Sequence, residues 1–272
     1  RGIGQIRNGD SPVAFLIDGV TIPDPNLVNQ ELFDLAMIEV VKGPQGTLYG
    51  KNAIGGAVNI LTLAPTNNFR HKVKFGVGNG GYLGGQAVSS GPIVKDKIYY
   101  RIAGTYKTMD GLLTNTFLDR KVDYYEDLSF RGQLKFDFST RVSLTLAGQY
   151  SDTQGGATYS GHSPTGVELD PNDFNYVIDA NVFGESELKN SFASARLEWN
   201  IGNMKFQSIS SYQKADRNHA GDLDFISLDI LRQDQLSNSK SFNQEFRLGS
   251  HTGSSKIEWD LGIQYQQSER DL

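Results

Sequence analysis

From residue 71 onward the chain repeats one pattern: stretches of about ten residues in which apolar and polar side chains alternate. A period of two is the period of a β-strand, so each stretch has one apolar and one polar face. Residues 256–266 show it most clearly. Ile257, Trp259, Leu261, Ile263 and Tyr265 share one face, and Lys256, Glu258, Asp260, Gln264 and Gln266 share the other. Residues 128–138 set Leu128, Phe130, Leu134, Phe136 and Phe138 against Ser129, Arg131, Gln133, Lys135 and Asp137. The pattern recurs over 142–150 and 98–106. It is weaker over 191–199, 204–212 and 242–248, short over 72–77, and too glycine-rich to assign faces over 82–90. These readings predict about nine strands, each near the length of about 9–11 residues that a membrane β-strand needs.

The connectors alternate too. Residues 93–97, 139–141, 202–203 and 250–255 are short turns, whereas 110–127, 152–187 and 218–240 are expected as long loops; 79–81 is brief. Short turns on one rim and long loops on the other mark an outer-membrane barrel. A soluble sandwich also alternates, because each of its sheets buries one face. It rarely keeps strands this long, polar on one face throughout, with strictly alternating connector lengths. A mean hydropathy of −0.40 and the lack of a run of about 20 apolar residues argue against membrane helices but not against membrane strands. The 12 Tyr, 15 Phe and 30 Gly suit a barrel with aromatic girdles. The net charge of −5 carries no basic patch, so nucleic acid is not expected as a partner. The chain has no cysteine, so it needs no disulfide.

Residues 1–65 have a different texture. A short apolar strand over 13–18 ends in the turn Asp18-Gly19, residues 22–31 (IPDPNLVNQE) read as a loop, and strands are expected over 34–41 and 57–63. Between those strands stand Gly43, Gly46, Gly50, Gly55 and Gly56, a density that marks tight turns. The polar, proline-broken stretch 64–68 is taken as a boundary between a domain at 1–65 and another at 66–272.

Several ordered elements resemble the end of the plug domain of TonB-dependent outer-membrane receptors. They are Asp18-Gly19 after its strand, Asp34-Leu35, Ile38-Glu39-Val40, Gly43-Pro44-Gln45-Gly46-Thr47-Leu48-Tyr49-Gly50, Asn52-Ala53-Ile54-Gly55-Gly56 and Val58-Asn59-Ile60. Ala36-Met37 and Lys42 depart from the family's usual charged pair and arginine. The resemblance implies an all-β chain with a small α+β plug remnant and a partial antiparallel barrel out of about 22 strands. It marks Asp18, Gly19, Glu39, Lys42, Gly43, Pro44, Gly46, Tyr49, Gly50, Gly55, Gly56 and Asn59 as plug-motif residues. The abrupt start at Arg1, without a signal peptide, is read as the mark of a fragment cut at both ends.

The function implied is energy-coupled import of a scarce solute across the outer membrane of a Gram-negative bacterium. A ferric siderophore or similar metal complex is the expected ligand, with TonB and outer-membrane lipid as partners and no cofactor. In such receptors the apical plug loops meet the ligand, which points to Asp24, Asn26, Asn29 and Gln30. Lys42 is expected to meet the lumen-facing Glu245 as a plug–barrel contact. A passive channel or adhesin, or a soluble β-rich binding module, stands as the alternative. Catalysis has no support. No Gly-x-Ser-x-Gly elbow occurs, the four histidines (His71, His162, His219, His251) show no metal-ligand spacing, and residues 46–51 (GTLYGK) fall one residue short of a phosphate loop. The G-x-G-x-x-G match at 76–81 is better explained as a hairpin turn. Residues 152–187 hold seven acidic residues and no Lys or Arg, and read as a solvated loop.

Overall fold

The structure, a computed structural model, describes residues 11–23, 30–46, 53–157, 159, 177–250 and 257–271. Two sheets carry it. The smaller is mixed, with β1 (Val13–Ile17), β2 (Val20–Ile22), β3 (Leu35–Lys42) and β4 (Gly56–Thr62) in the order β2-β1-β4-β3. β1 and β4 run parallel, with Phe15 opposite Val58; the other two pairs are antiparallel. Ala14, Leu16, Ala53 and Ala57 form a tight core where β1 and β4 meet. Gly43 N donates to Gly55 O (3.2 Å) and Gln45 N to Ala53 O (2.8 Å), closing the glycine-dense loop between β3 and β4. Gly56 has φ +146°, and a Cβ there would lie 2.4 Å from the Val41 carbonyl oxygen, so only glycine fits.

The larger sheet is an antiparallel meander of nine strands: β5 (Arg70–Gly78), β6 (Tyr82–Val94), β7 (Ile98–Met109), β10 (Tyr125–Asp137), β11 (Val142–Gly156), β12 (Glu185–Ile201), β13 (Met204–Asp222), β14 (Arg232–Ser250) and β15 (Asp260–Asp271). A short hairpin, β8 (Thr114–Asn115) with β9 (Arg120–Lys121), decorates the loop between β7 and β10. The GVGNGG run at 76–81 spans the β5–β6 turn, where Tyr82 N donates to Asn79 O. That is the hairpin reading, with no helix after the glycines to support a nucleotide site.

The larger sheet is inside out by the standards of a soluble protein. On β10, Asp127 and Ser129 are 0% exposed while the neighbouring Phe130 is 52% exposed. On β7, Arg101 is buried and Ile102 exposed; Ile263 on β15 is 70% exposed. The apolar face therefore looks outward and the polar face is covered by the smaller sheet. Burying polar groups while exposing Phe, Ile and Leu is unfavourable in water and favourable in hydrocarbon.

Three expected loops are shorter than the sequence reading. β10 begins at Tyr125, β11 continues to Gly156 and β12 begins at Glu185, and the gap expected over 218–240 shrinks to 223–231. Strands of up to 19 residues outrun the membrane's need, so their outer ends stand in water. There both faces are polar: Asp216 and Asn218 alternate with Arg217 and His219 on β13. The ladder persists where the hydropathy signal has vanished. The loops at this end are also ordered together. Thr116 N donates to Ile178 O (2.7 Å), Asn181 N to Ile226 O (3.2 Å), and the Arg120 guanidinium lies 3.5 Å from the Phe183 ring centroid.

Candidate functional site

A short strap, residues 30–34, makes the first of two sets of contacts between the polar wall of the larger sheet and the smaller sheet. Gln30 Oε1 accepts from Gln149 Nε2 on β11 (2.6 Å) and Asn190 Nδ2 on β12 (3.2 Å). Glu31 pairs with Lys107 on β7 and accepts from the Tyr125 hydroxyl on β10 (3.1 Å). Phe33 packs its ring into Val88 and Ala103, and its carbonyl accepts from Arg131 Nη1 (2.9 Å). The Arg131 guanidinium lies 4.8 Å from the Phe33 ring centroid and also donates to Gln149 Oε1 (3.0 and 2.8 Å). Asp34, held at φ +56°, receives a two-pronged bond from Arg101 (Nε 2.6 Å, Nη2 2.5 Å). The side chains of Asp34 and Arg101 are only 5% and 10% exposed. A bidentate Arg–carboxylate pair out of water is strong and directional, and neither partner tolerates loss of the other.

A second contact lies at the turn after β1. Asp18 accepts from Thr62 N and Thr62 Oγ1 (both 2.7 Å), and Thr62 Oγ1 in turn accepts from Gln133 Nε2 on the wall (2.7 Å). Gly19 N donates to Asn59 Oδ1 (3.2 Å), and Asn59 Nδ2 donates to Glu39 Oε2 (3.1 Å). Thr21 O accepts from Gln213 Nε2 on β13 (2.9 Å). Ile17, Ile22 and Ile60 pack on Leu188 and Ala215 of β12 and β13, an apolar contact between the sheets.

The structure thus brings Asp18, Gly19, Glu39 and Asn59 into one brace, and sets Gly43, Gly55 and Gly56 at the loop closure with Pro44 and Gly46 between them. Tyr49 and Gly50 lie outside the described residues, as do Asp24, Asn26 and Asn29. Gln30, expected to meet ligand, is committed to the wall. The expected Lys42–Glu245 contact is replaced. Glu245 pairs with Arg247, two residues along the same face of β14, and Lys42 is exposed at the end of β3. The physical reason is proximity: an i, i+2 partner on one strand face is always within reach, whereas β3 lies at the edge of the smaller sheet. Sequence reasoning placed Arg131 on the polar face of its strand but named neither it nor Arg101 as a contact. Their signal was a fixed charge in mid-strand, which a buried face carries only with a partner.

Residues 1–57 match the family described as TonB-dependent Receptor Plug Domain. That segment is a TonB-dependent receptor plug. The pesticin receptor of Yersinia pestis is 34% identical over 116 residues, covering 42% of this chain and 17% of that protein. The ferripyoverdine receptor of Pseudomonas aeruginosa is 27% identical over 158 residues, covering 55% of this chain and 18% of that one. In fold the chain is similar to the ferric yersiniabactin uptake receptor FyuA from Yersinia pestis, with a TM-score of 0.85 and 20% identity, over 99% of this chain and 42% of that one. The chain therefore spans less than a fifth of the curated relatives' length and under half of the solved structure. The relatives are receptors, not enzymes. The smaller sheet falls largely within the plug match, and the larger sheet has the fold of the corresponding stretch of the FyuA receptor.

Proposed function

We propose that the chain forms the plug and first barrel strands of a receptor that imports a scarce solute by energy coupling through TonB, with a ferric siderophore or similar metal complex as cargo. The observation that carries this reading is the buried strap: a plug segment bonded side chain by side chain to the lumen wall of a lipid-facing sheet. A plug fastened this way bars free passage, so a passive channel is a poor use of it. A ligand held tightly outside leaves slowly, and its release inward needs work done on the plug. The relatives named for ferripyoverdine and ferric yersiniabactin support a metal complex as cargo.

The test uses the full-length receptor in its host. Cells starved of iron secrete their chelators, and that supernatant, loaded with radioactive iron, is the probe. Deleting the receptor abolishes uptake of at least one labelled chelate, and so does deleting TonB. Uptake that persists without TonB would refute energy coupling and favour a passive channel.

A further inference from the structure

Toward the long-loop end, the lipid face of the larger sheet closes on a band of aromatic rings. Tyr150 on β11, Tyr212 on β13 and Phe242 on β14 are each between 41% and 46% exposed on that face. Such rings mark the level where hydrocarbon gives way to headgroups. Directly beyond them stand lysines on three neighbouring strands. Lys214 lies two residues outward of Tyr212, and Lys240 two residues outward of Phe242. Lys189 lies two residues outward of Ser191, the ladder partner of Tyr150. A strand face repeats every two residues, so all three lysines share the lipid face with the rings.

These lysines are set apart from the other cations of the sheet. Arg101, Lys107 and Arg131 face the lumen and are bonded to the strap. Lys214 and Lys240 stand directly opposite each other on β13 and β14, and like charges so placed repel. Lys240 makes no ion pair among the described residues, although Glu269 faces it across the ladder on β15. Lys214 pairs with Asp216 and Lys189 with Glu187, each acid two residues further outward; Asp152 lies 4.0 Å from Lys189. The Lys214–Asp216 and Lys189–Glu187 side chains are between 35% and 42% exposed, so these pairs hold weakly. Glu187 and Asp216 thus lie on the water side of the lysines and the rings on the lipid side. Two facing lysines at headgroup height, one of them unpaired, call for an anion between them.

We propose that Lys214 and Lys240, flanked by Lys189, bind the phosphate of a lipid in the outward leaflet. Ammonium groups offer only N–H donors, and lysine binds phosphate as a point charge. A free phosphate ion would meet the lysines alone. A phosphorylated lipid meets the lysines with its headgroup and Tyr212 and Phe242 with its chains, so the arrangement favours the lipid. The proposal rests on the lipid-facing reading of the sheet and not on import.

The test uses purified full-length receptor in neutral detergent, titrated with lipid A, a phosphorylated glycolipid, with bound copies counted by native mass spectrometry. A lysine near an anionic lipid surface is worth about fivefold in affinity, so Lys214→Gln combined with Lys240→Gln should weaken binding by about 25-fold. Lys214→Arg combined with Lys240→Arg keeps both charges and should keep the binding, which separates lost charge from lost folding. Lys205→Gln removes a charge from the lumen face of β13 and should change nothing. Lipid A stripped of phosphate should bind the unsubstituted receptor no better than intact lipid A binds the double Gln variant. Millimolar inorganic phosphate should leave bound lipid in place. If the double Gln variant binds lipid A as tightly as the unsubstituted receptor, or if stripped lipid binds as tightly as intact lipid, the site is overturned. Displacement by millimolar phosphate would overturn lipid as its occupant. A receptor that binds lipid A at these lysines but takes up no labelled iron would leave the site standing and count only against import.

Discussion

Replacing Arg101 by alanine should loosen the end of the strap at Asp34, where it leads into β3. The side chain forms both prongs of the bond to Asp34, at 2.6 and 2.5 Å, in a place where neither partner is more than 10% exposed. Two unit charges about 4 Å apart attract by about 4 kcal/mol at the effective dielectric of about 20 that suits such sites. Removing one partner also leaves the other's charge buried and unpaired, and the measured cost of breaking such pairs is about 3–5 kcal/mol. Since about 1.4 kcal/mol is a factor of ten, the local opening equilibrium should rise by roughly two to four powers of ten. Amide hydrogen exchange in the full-length receptor reads this directly. Backbone amides of β3, and Leu63 N, which donates to the Asp34 carbonyl, should exchange faster by that factor in R101A. Amides of β12 and β13, held by their own ladders, should not change. Pairing R101A with Asp34→Ala then removes the stranded carboxylate. If the pair is coupled as described, the double variant exchanges more slowly than R101A alone. An acceleration of less than about tenfold in R101A would refute the reasoning, because it would mean that Asp34 finds water on losing its partner.

Three further outcomes follow from other positions. Gly56→Ala sets a Cβ against the Val41 carbonyl at a φ of +146°, so it should cost at least about 1–3 kcal/mol, read as a lowered melting temperature of the plug in calorimetry. Ile263→Lys on the lipid face should destabilise the barrel by about 2–4 kcal/mol if it sits near the midplane, measured by urea unfolding in lipid vesicles. Asp224 lies in the outer loop after β13. Its partial burial works to raise its pKa, but bonds from the amides of Ile226, Leu231 and Ile230 outweigh that and hold the carboxyl below its ordinary 3.8. A depressed carboxyl stabilises the loop above that ordinary value and loses its effect as pH falls below it. Loop 223–231 should therefore resist proteolysis at neutral pH and become sensitive below pH 3.8, and Asp224→Asn should remove that dependence.

The barrel was legible wherever one face of a strand met lipid. Residues 128–138 and 256–266 alternate cleanly because hydrocarbon selects every second side chain. Above the membrane that selection ends, so the outer halves of β13 and β14 read as loop although their ladders continue from Asp222–Arg232 downward. β6 was unreadable for another reason. Gly84 and Gly85 present no side chain, and the rings of Tyr82 and Phe75 lie over them instead. The plug was legible through its turns, where backbone geometry restricts residue choice. The strap was not, because Gln30, Glu31, Phe33 and Asp34 sit in irregular backbone with no period, and their partners lie 67 to 160 positions away in the chain.

The same contrast separates the parts of the plug that hold from those that yield. The strap spreads its bonds over β7, β10, β11 and β12, so no single strand of the wall carries the attachment. Directly beneath it on β11, the step from Gln149 to Ala147 and Thr145 passes from a bonded wall to an open gap. Displacement of the smaller sheet from the short-turn side would meet the unbonded region first, and the contacts of Gln133 with Thr62 and of Arg196 with the Gly19 turn would give way by side-chain rotation before the buried Asp34–Arg101 pair separated. Withdrawing the Asp18-Gly19 turn from Arg196 is a smaller displacement than the loss of the strap, and the two can be told apart because only the second exposes Asp34 and Arg101 to water.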